Sequence, residues 1–348
     1  MRIIHNPDHR LHTAQHEMYR GRLVPCHETP DRLDHVLAAL QQRPVGPLCT
    51  PEEVPDAALA AIHSPAYLAF LAGAWDAWVA LDPANAAFDI LPSVWPGRGF
   101  RHDVVPRNFA AQLGLYAFDA GSPMVAGTWA AVRAGAACAV TAARAVTGGE
   151  RSAMALTRPP GHHAGPDFFG GYCFLNNAAL AAQTLRDGGA ARVAVLDVDY
   201  HHGNGTQTIF EQRADVLTVS LHGDPMTEYP FFLGHADERG QGAGQGFNLN
   251  LPLPRGTSAD TWFATLDHAL QAVERFRPDA LVVPLGVDTF EGDPISGFHL
   301  RSSDYLRLGE RLARLGLPTV FTMEGGYAVA DVGINVVNVL QGFEERTP

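Results

Sequence analysis

The run Val193-Ala-Val-Leu196, continued by Asp197-Val-Asp-Tyr-His-His-Gly-Asn-Gly205, decides the fold of this chain. Four apolar residues in a row read as a buried strand, and the acids, histidines and glycines that follow read as ligands aimed out of its carboxyl end. In open α/β sheets the active site lies at that end of the strands. Asp199 and His201 are two residues apart, so in extended backbone they point to the same side. One carboxylate and one imidazole make up half of a catalytic zinc site, which has three protein ligands and one open position.

Working outward, the pattern from about residue 150 alternates strand and helix. Apolar strands are expected at Ala153–Leu156, Val193–Asp197, Val216–Leu221, Phe247–Leu251, Leu281–Leu285 and Thr319–Met323. Helices are expected between and after them, at Asn177–Asp187, Ser258–Phe276, Ser303–Leu315 and Val332–Phe343, with Thr128–Val146 and Pro55–Ala72 before them. The alternation predicts an α/β fold: a central, mostly parallel sheet with helices on both faces, in a single domain spanning 1–348. Residues 82–107 are different. They hold Pro, Gly, Trp and Phe without periodicity, and a loop of this length in a compact domain is usually functional or disordered. Its aromatics suggest a lid or an arm that contacts a partner.

Composition excludes several chemistries. The net charge of -12 argues against a nucleic-acid partner, which favours a basic surface. No apolar run is long enough to span a membrane, and the start Met1-Arg-Ile-Ile-His5 lacks a secretory h-region, so a cytoplasmic protein is expected. The four cysteines (Cys26, Cys49, Cys138 and Cys173) form no CxxC pair, which indicates neither a thiolate zinc knuckle nor a disulfide framework. All 25 basic residues are arginine, so there is no P-loop lysine and no Schiff-base lysine.

Four further clusters sit at the ends of expected strands. Arg158-Pro-Pro-Gly-His-His-Ala-Gly165 holds two adjacent histidines between proline and glycine. Gly170-Gly-Tyr-Cys-Phe-Leu-Asn-Asn177 carries aromatics into a helix start, where a plain loop with an Asn cap is the simplest alternative. In Leu285-Gly-Val-Asp288-Thr-Phe-Glu-Gly-Asp-Pro294, Asp288 ends an apolar strand as a candidate third ligand, while Asp293 before Pro294 reads as a turn acid. Met323-Glu-Gly-Gly-Tyr327 can swing a tyrosine into a site. Together these suggest Asp199, His201 and Asp288 on one metal, with histidines close by and a tyrosine opposite. That is a hydrolytic site: the metal polarises a carbonyl and acidifies water, a histidine moves the proton, and the tyrosine stabilises the oxyanion.

The motifs RPPGHH, GGYCFLNN, DVDYHHGNGT, LGVDTF and EGGY resemble the arginase/deacetylase superfamily. Within it the chain is most similar to the acetylpolyamine amidohydrolases and the histone-deacetylase-like amidohydrolases. The resemblance runs from the N-terminal His-Arg-Leu-His segment through Ile62-His-Ser-Pro-Ala-Tyr67 to the last helix. It implies zinc, with iron or cobalt as substitutes, on Asp199, His201 and Asp288. It implies His163 as general base and acid, His162 as its electrostatic partner, and Tyr327 as donor to the substrate carbonyl. Asp197, Asn204 and His202 would support these residues from behind, with Asp197 at His162 and Asn204 at His163. Tyr172, Tyr229, Phe169 and Gly171 would line the substrate tunnel. A structural potassium would sit at Asp197, Asp199, His201, Ser220 and Leu221.

The resemblance also guides the choice of substrate. Arginase-type binuclear sites need acids where this chain has Gly203 and Phe290, which ranks guanidine hydrolysis below amide hydrolysis. Two positions where the acetylpolyamine enzymes carry acids hold Ala110 and Gly121 here; Asp119, Asp103 and Glu228 are candidates to replace them. The 82–107 loop matches the segment that pairs two subunits in those relatives, which predicts a homodimer whose mouth admits slim acetylated amines. The alternatives are a lysine deacetylase acting on peptides or proteins and a non-catalytic binder of acetylated amines.

Overall fold

The computed structural model describes residues 1–345. Its strands are β1 (Arg2–His5), β2 (His16–Tyr19), β3 (Arg22–Pro25), β4 (Leu48–Cys49), β5 (Ser152–Leu156), β6 (Val193–Asp197), β7 (Val216–Gly223), β8 (Asn248–Leu253), β9 (Ala280–Leu285) and β10 (Thr319–Met323). Eight of them form one sheet in the order β4-β1-β5-β10-β9-β6-β7-β8, and every pairing is parallel. β2 and β3 form a separate antiparallel hairpin. Parallel pairing requires crossovers that place helices on the faces, which is why the strands read as continuous apolar runs.

Alternate residues of each strand enter different cores. Ala153, Val193, Val195 and Val282 pack on one side with the helices Pro65–Leu81, Thr128–Thr147 and Asn177–Asp187. Met154, Ala194, Leu196, Leu281 and Val283 pack on the other with Asp31–Gln42, Ala259–Phe276, Ser302–Ala313 and Val329–Glu345. Both faces are therefore buried, and the period-two geometry of the strand divides its side chains between them.

The expected strands and late helices lie within a few residues of their observed bounds. The expected helix Pro55–Ala72 is in fact two, Asp56–Ala60 and Pro65–Leu81. Proline disfavours helical backbone at the residue before it and is well placed at a first helical position. Ser64 accordingly caps the second helix by accepting from the Tyr67 amide at 3.3 Å. β1 and the helix Asp31–Gln42 were not anticipated, because a four-residue strand at the N-terminus carries too little periodicity to read. Among the described residues no helix is long and apolar enough to cross a membrane.

After a short 3-10 turn at Pro83–Ala87, residues 88–107 are irregular, tied to the body by the Ile90–Met124 bridge. Phe88, Val94, Phe100, Val104 and Val105 along this segment are exposed.

Candidate metal and hydrolytic centre

The candidate residues lie beyond the carboxyl ends of β5, β10, β9 and β6, four neighbouring strands at the middle of the sheet. Asp199 and His201 follow β6, and Asp288 follows β9. Their ligand atoms lie within 4.8 Å of one another, and all three residues are buried. His201 Nδ1 is 2.9 Å from Asp288 Oδ2 and 3.4 Å from Asp199 Oδ1. Backbone amides fix the carboxylates: Gly325 donates to Asp199 Oδ2 at 2.7 Å and Tyr200 to Asp288 Oδ1 at 2.8 Å. A Cβ on Gly325 would come within 2.6 Å of both carboxylates, so this cradle closes only around glycine.

The cluster draws in positive charge. Burial lowers the His201 imidazole, but its bonds to Asp199 and Asp288 outweigh that and raise it to about 10. Burial, with the Asp199 charge beside it, pushes the Asp288 carboxyl up to about 7. Two buried carboxylates and an imidazole, all within ligand reach of one point, fit a divalent cation with an open position. Zinc, iron and cobalt suit such donors.

His162 and His163 stand beside the cluster with their rings 4.0 Å apart. His162 Nδ1 is 2.9 Å from Asp197 Oδ2, and His163 Nδ1 is 2.7 Å from Asn204 Oδ1. The Asn204 amide nitrogen donates to the His163 carbonyl at 3.4 Å, so its oxygen faces the ring. This pattern assigns the proton to His163 Nδ1 and leaves a lone pair on Nε2. Burial pulls both imidazoles down. At His162 the Asp199 and Asp197 charges reverse the effect and raise it to about 10. At His163 the charges of His162 and His201 add to burial and hold it well below the usual histidine range. The pair thus sets an imidazole held neutral beside one held cationic.

A cavity of about 380 Å³ opens onto this floor; His163, His201 and Tyr327 lie at its base and Tyr172 and Tyr229 along its walls. The Tyr229 ring meets His163 edge-on at 5.1 Å. Gly171 lines the cavity at φ +55, and a Cβ there would lie 2.2 Å from His163 Cδ2. Three acids reach the cavity: Glu17, Asp119 and Glu228. Tyr172 donates to Glu17 at 2.9 Å and Tyr229 to Asp119 at 2.7 Å, so each wall tyrosine is tied to one acid.

The histone deacetylase domain model matches residues 26–343. The chain belongs to the histone deacetylase family. Acetylpolyamine amidohydrolase 1 of Pseudomonas aeruginosa is 54% identical over 99% of both chains. Acetylpolyamine amidohydrolase of Mycoplana ramosa is 45% identical over 98% of this chain and 99% of its own. The crystal structure of acetylpolyamine aminohydrolase from Burkholderia pseudomallei superposes with a TM-score of 0.95 at 40% identity, covering 99% of each chain. The protein is a deacetylase-type enzyme.

In this deacetylase fold several expected residues lie elsewhere. Phe169 is fully buried, stacked on Phe174 at 5.2 Å in the core, so its side chain is not part of the tunnel wall. His202 packs on His222 at 4.6 Å, and the charges of His163 and His162 act on its ring. Asp103 is exposed and paired with Arg101 at 2.6 Å, and Ala110 does not line the cavity. Asp293 is more than a turn acid: it is buried, and its Oδ2 accepts from the Tyr327 amide at 2.7 Å. Ser220 pairs in register with Asp197 across β7 and β6, and its hydroxyl bonds to His222 Nδ1 at 2.8 Å. A Cβ at Gly203 would sit 2.4 Å from Asp197 Oδ2, so an acid there would displace the residue that holds His162.

Other residues of the deacetylase site escaped sequence reasoning. Glu324 accepts from the Gly161 and His162 amides at 2.6 and 3.1 Å, fixing the histidine loop onto β10. It stands in the EGGY motif, four residues in which only the tyrosine has an evident chemical role by sequence. Arg32 donates to the Gly326 carbonyl at 2.6 Å and to the Glu324 carbonyl, and its guanidinium lies 4.7 Å from the Tyr327 ring centre. Glu28 bridges Arg32 and Arg158, each at 2.9 Å, in a fully buried network. No local signal marks Glu17, Glu28 or Arg32, because their bonds to Tyr172, Arg158 and the Gly326 carbonyl join segments distant in sequence.

Proposed function

We propose that the protein is a zinc-dependent amidohydrolase that removes acetyl or another short acyl group from amines, acetylpolyamines first among them. One observation carries this reading: the buried Asp199–His201–Asp288 cluster and the neutral His163 lie at the bottom of a tyrosine-walled cavity whose sides carry Glu17, Asp119 and Glu228. The floor suits amide hydrolysis and the walls suit a substrate with a distal ammonium. Glu228 is already paired with Arg255 at 3.1 Å, which leaves Glu17 and Asp119 as the main attraction for a cation. These two take the place of the acids missing at Ala110 and Gly121.

Asp199, His201 and Asp288 would hold the ion, which when bound polarises the amide carbonyl and acidifies water. His163 Nε2 takes the proton of the water that attacks the carbonyl carbon and returns it to the amine nitrogen as the C–N bond breaks. His162, held cationic by Asp197, stabilises the developing negative charge. The Tyr327 hydroxyl donates to the carbonyl oxygen as it becomes an oxyanion. Tyr172 and Tyr229 grip the aliphatic stem between the amide and the ammonium. The same reading puts a structural potassium at Asp197, Asp199, His201, Ser220 and Leu221. It also makes the 82–107 segment, with its exposed Phe88, Val94, Phe100, Val104 and Val105, a homodimer contact, which gel filtration tests.

The deciding experiment is kcat/KM of the zinc-loaded protein for acetylputrescine and acetylspermidine against an acetyl-lysine peptide. A preference for the acetylpolyamines is expected. A preference for the peptide would make this a lysine deacetylase instead.

A further inference from the structure

We infer that His27 is a specificity-determining residue of the mouth: through the Glu17 carboxylate it sets, as a function of pH, how strongly the cavity holds a substrate's distal ammonium. This rests on the amine reading above.

Glu17 faces the cavity with a side chain only 1% exposed. Its Oε1 accepts from the Tyr172 hydroxyl at 2.9 Å and from His27 Nδ1 at 2.8 Å, and its Oε2 accepts from the His27 amide at 3.1 Å. His27 is thus the imidazole bonded directly to a carboxylate of the substrate cavity. It lies behind that carboxylate, outside the cavity lining itself. Its side chain is 26% exposed, so it exchanges protons with solvent while Glu17 does not meet solvent directly.

The bond geometry separates charge from shape. Nδ1–H donates to Glu17 in both the neutral and the charged imidazole, so the proton that comes and goes is on Nε2. Titration therefore leaves the wall where it is and changes only its charge. With His27 charged, the Glu17–His27 pair is neutral overall and offers an ammonium little. With His27 neutral, the wall carries a full negative charge beside a partly desolvated cavity, where complementary charge is most strongly rewarded. Asp119 stands on a different element and is bonded to the Tyr229 hydroxyl and the Gly171 amide, not to His27, so amine binding weakens at low pH without vanishing.

The groups facing His27 are few. From the hairpin come Glu17 and the Tyr19 ring, at 5.3 Å between ring centres. From the loop after β9 comes the charge of Asp293. The chain neighbours are Cys26 and Glu28, and Glu28 is turned inward onto Arg32 and Arg158. The bond to Glu17, with the charges of Glu17 and Asp293 behind it, outweighs burial and raises the imidazole above the ordinary 6.5. The change therefore falls on the alkaline side of that value.

The test compares KM for acetylputrescine with KM for N-pentylacetamide, the same stem ending in methyl, between about pH 6 and 8.5, where an alkylammonium stays charged. In the wild type, the KM advantage of the ammonium substrate is expected to grow about fivefold with rising pH, the low end of site-to-site coupling. In His27→Gln, which keeps a donor to Glu17 but cannot titrate, the advantage is expected to be constant and at its high-pH size. A flat ratio in the wild type, or a step that persists in His27→Gln, overturns the assignment while leaving the amine reading intact. If His27→Gln does not fold, His27→Asn, which also keeps an amide donor and cannot titrate, makes the same comparison with the same two outcomes. No advantage for the ammonium at any pH removes the amine reading, and this inference with it.

Discussion

The floor of the cavity and its mouth are built on different principles. The floor residues follow the ends of central strands and are buried, and the carboxylates and histidine Nδ1 atoms among them are held by backbone amides and neighbouring side chains. The mouth is assembled from the β2–β3 hairpin, the turn around Asp119 and the segment from Thr227 to Phe231, one hairpin and two loops far apart in sequence. Floor geometry follows from the sheet and, on the proposed reading, would serve the bond being broken. Mouth geometry follows from the packing of loops and would serve the substrate's far end. On that reading reaction type and substrate choice are separable properties of this chain.

That separation can be broken by mutation. His163→Ala removes the base and is expected to lower kcat by roughly a thousandfold on every amide, with metal content retained. Loss of metal would make His163 a ligand. Tyr327→Phe removes one oxyanion donor and is expected to cost about a hundredfold in kcat, again whatever the substrate. Near-normal turnover would take the tyrosine out of the chemistry. Asp119→Asn is expected to raise KM for ammonium-bearing amides about tenfold, with a smaller effect on neutral ones. An equal loss on both would mean that the mouth and the floor act as one unit.

A smaller effect sharpens the comparison through stability. His63 is buried beneath the floor, with Nδ1 donating to the Gly165 carbonyl at 2.8 Å and Nε2 accepting from the Asn176 amide at 3.0 Å. The bond accepted by Nε2 needs the neutral ring, and burial lowers the imidazole to about 4. The unfolded chain binds the proton near 6.5 and the folded one only near 4, so this stabilisation is full above 6.5 and is lost as pH falls between them. It amounts to on the order of 3 kcal/mol. Denaturant midpoints of the wild type should fall more steeply than those of His63→Gln over that range. Parallel curves would remove His63 from the pH dependence.

How far the sequence could be read follows the same division. β6 and β10 have the ends their apolar runs gave them, and the helix Asn177–Asp187 has the bounds its pattern gave. Asn176 does cap that helix, accepting from the Ala179 amide at 2.8 Å, as the plain-loop alternative to GGYCFLNN required. Local failures had local causes, as with the proline that splits Asp56–Ala60 from Pro65–Leu81. Phe169 was misplaced because an aromatic beside glycines reads the same whether it faces a tunnel or a core.

The sequence by itself determined the α/β class, the strand ends that carry chemistry, and the pairing of an acid with an imidazole two residues on. These are short-range properties, set by the strand's period of two and by apolar runs that must be buried. Only the tertiary structure decided that Glu324 holds the histidine loop, that Arg32 lies over Tyr327, and that Glu17 and Asp119 reach one cavity, each bonded to a wall tyrosine. Each of these depends on a contact between segments distant in sequence. Such contacts arise from the packing of whole elements, and no local pattern encodes them.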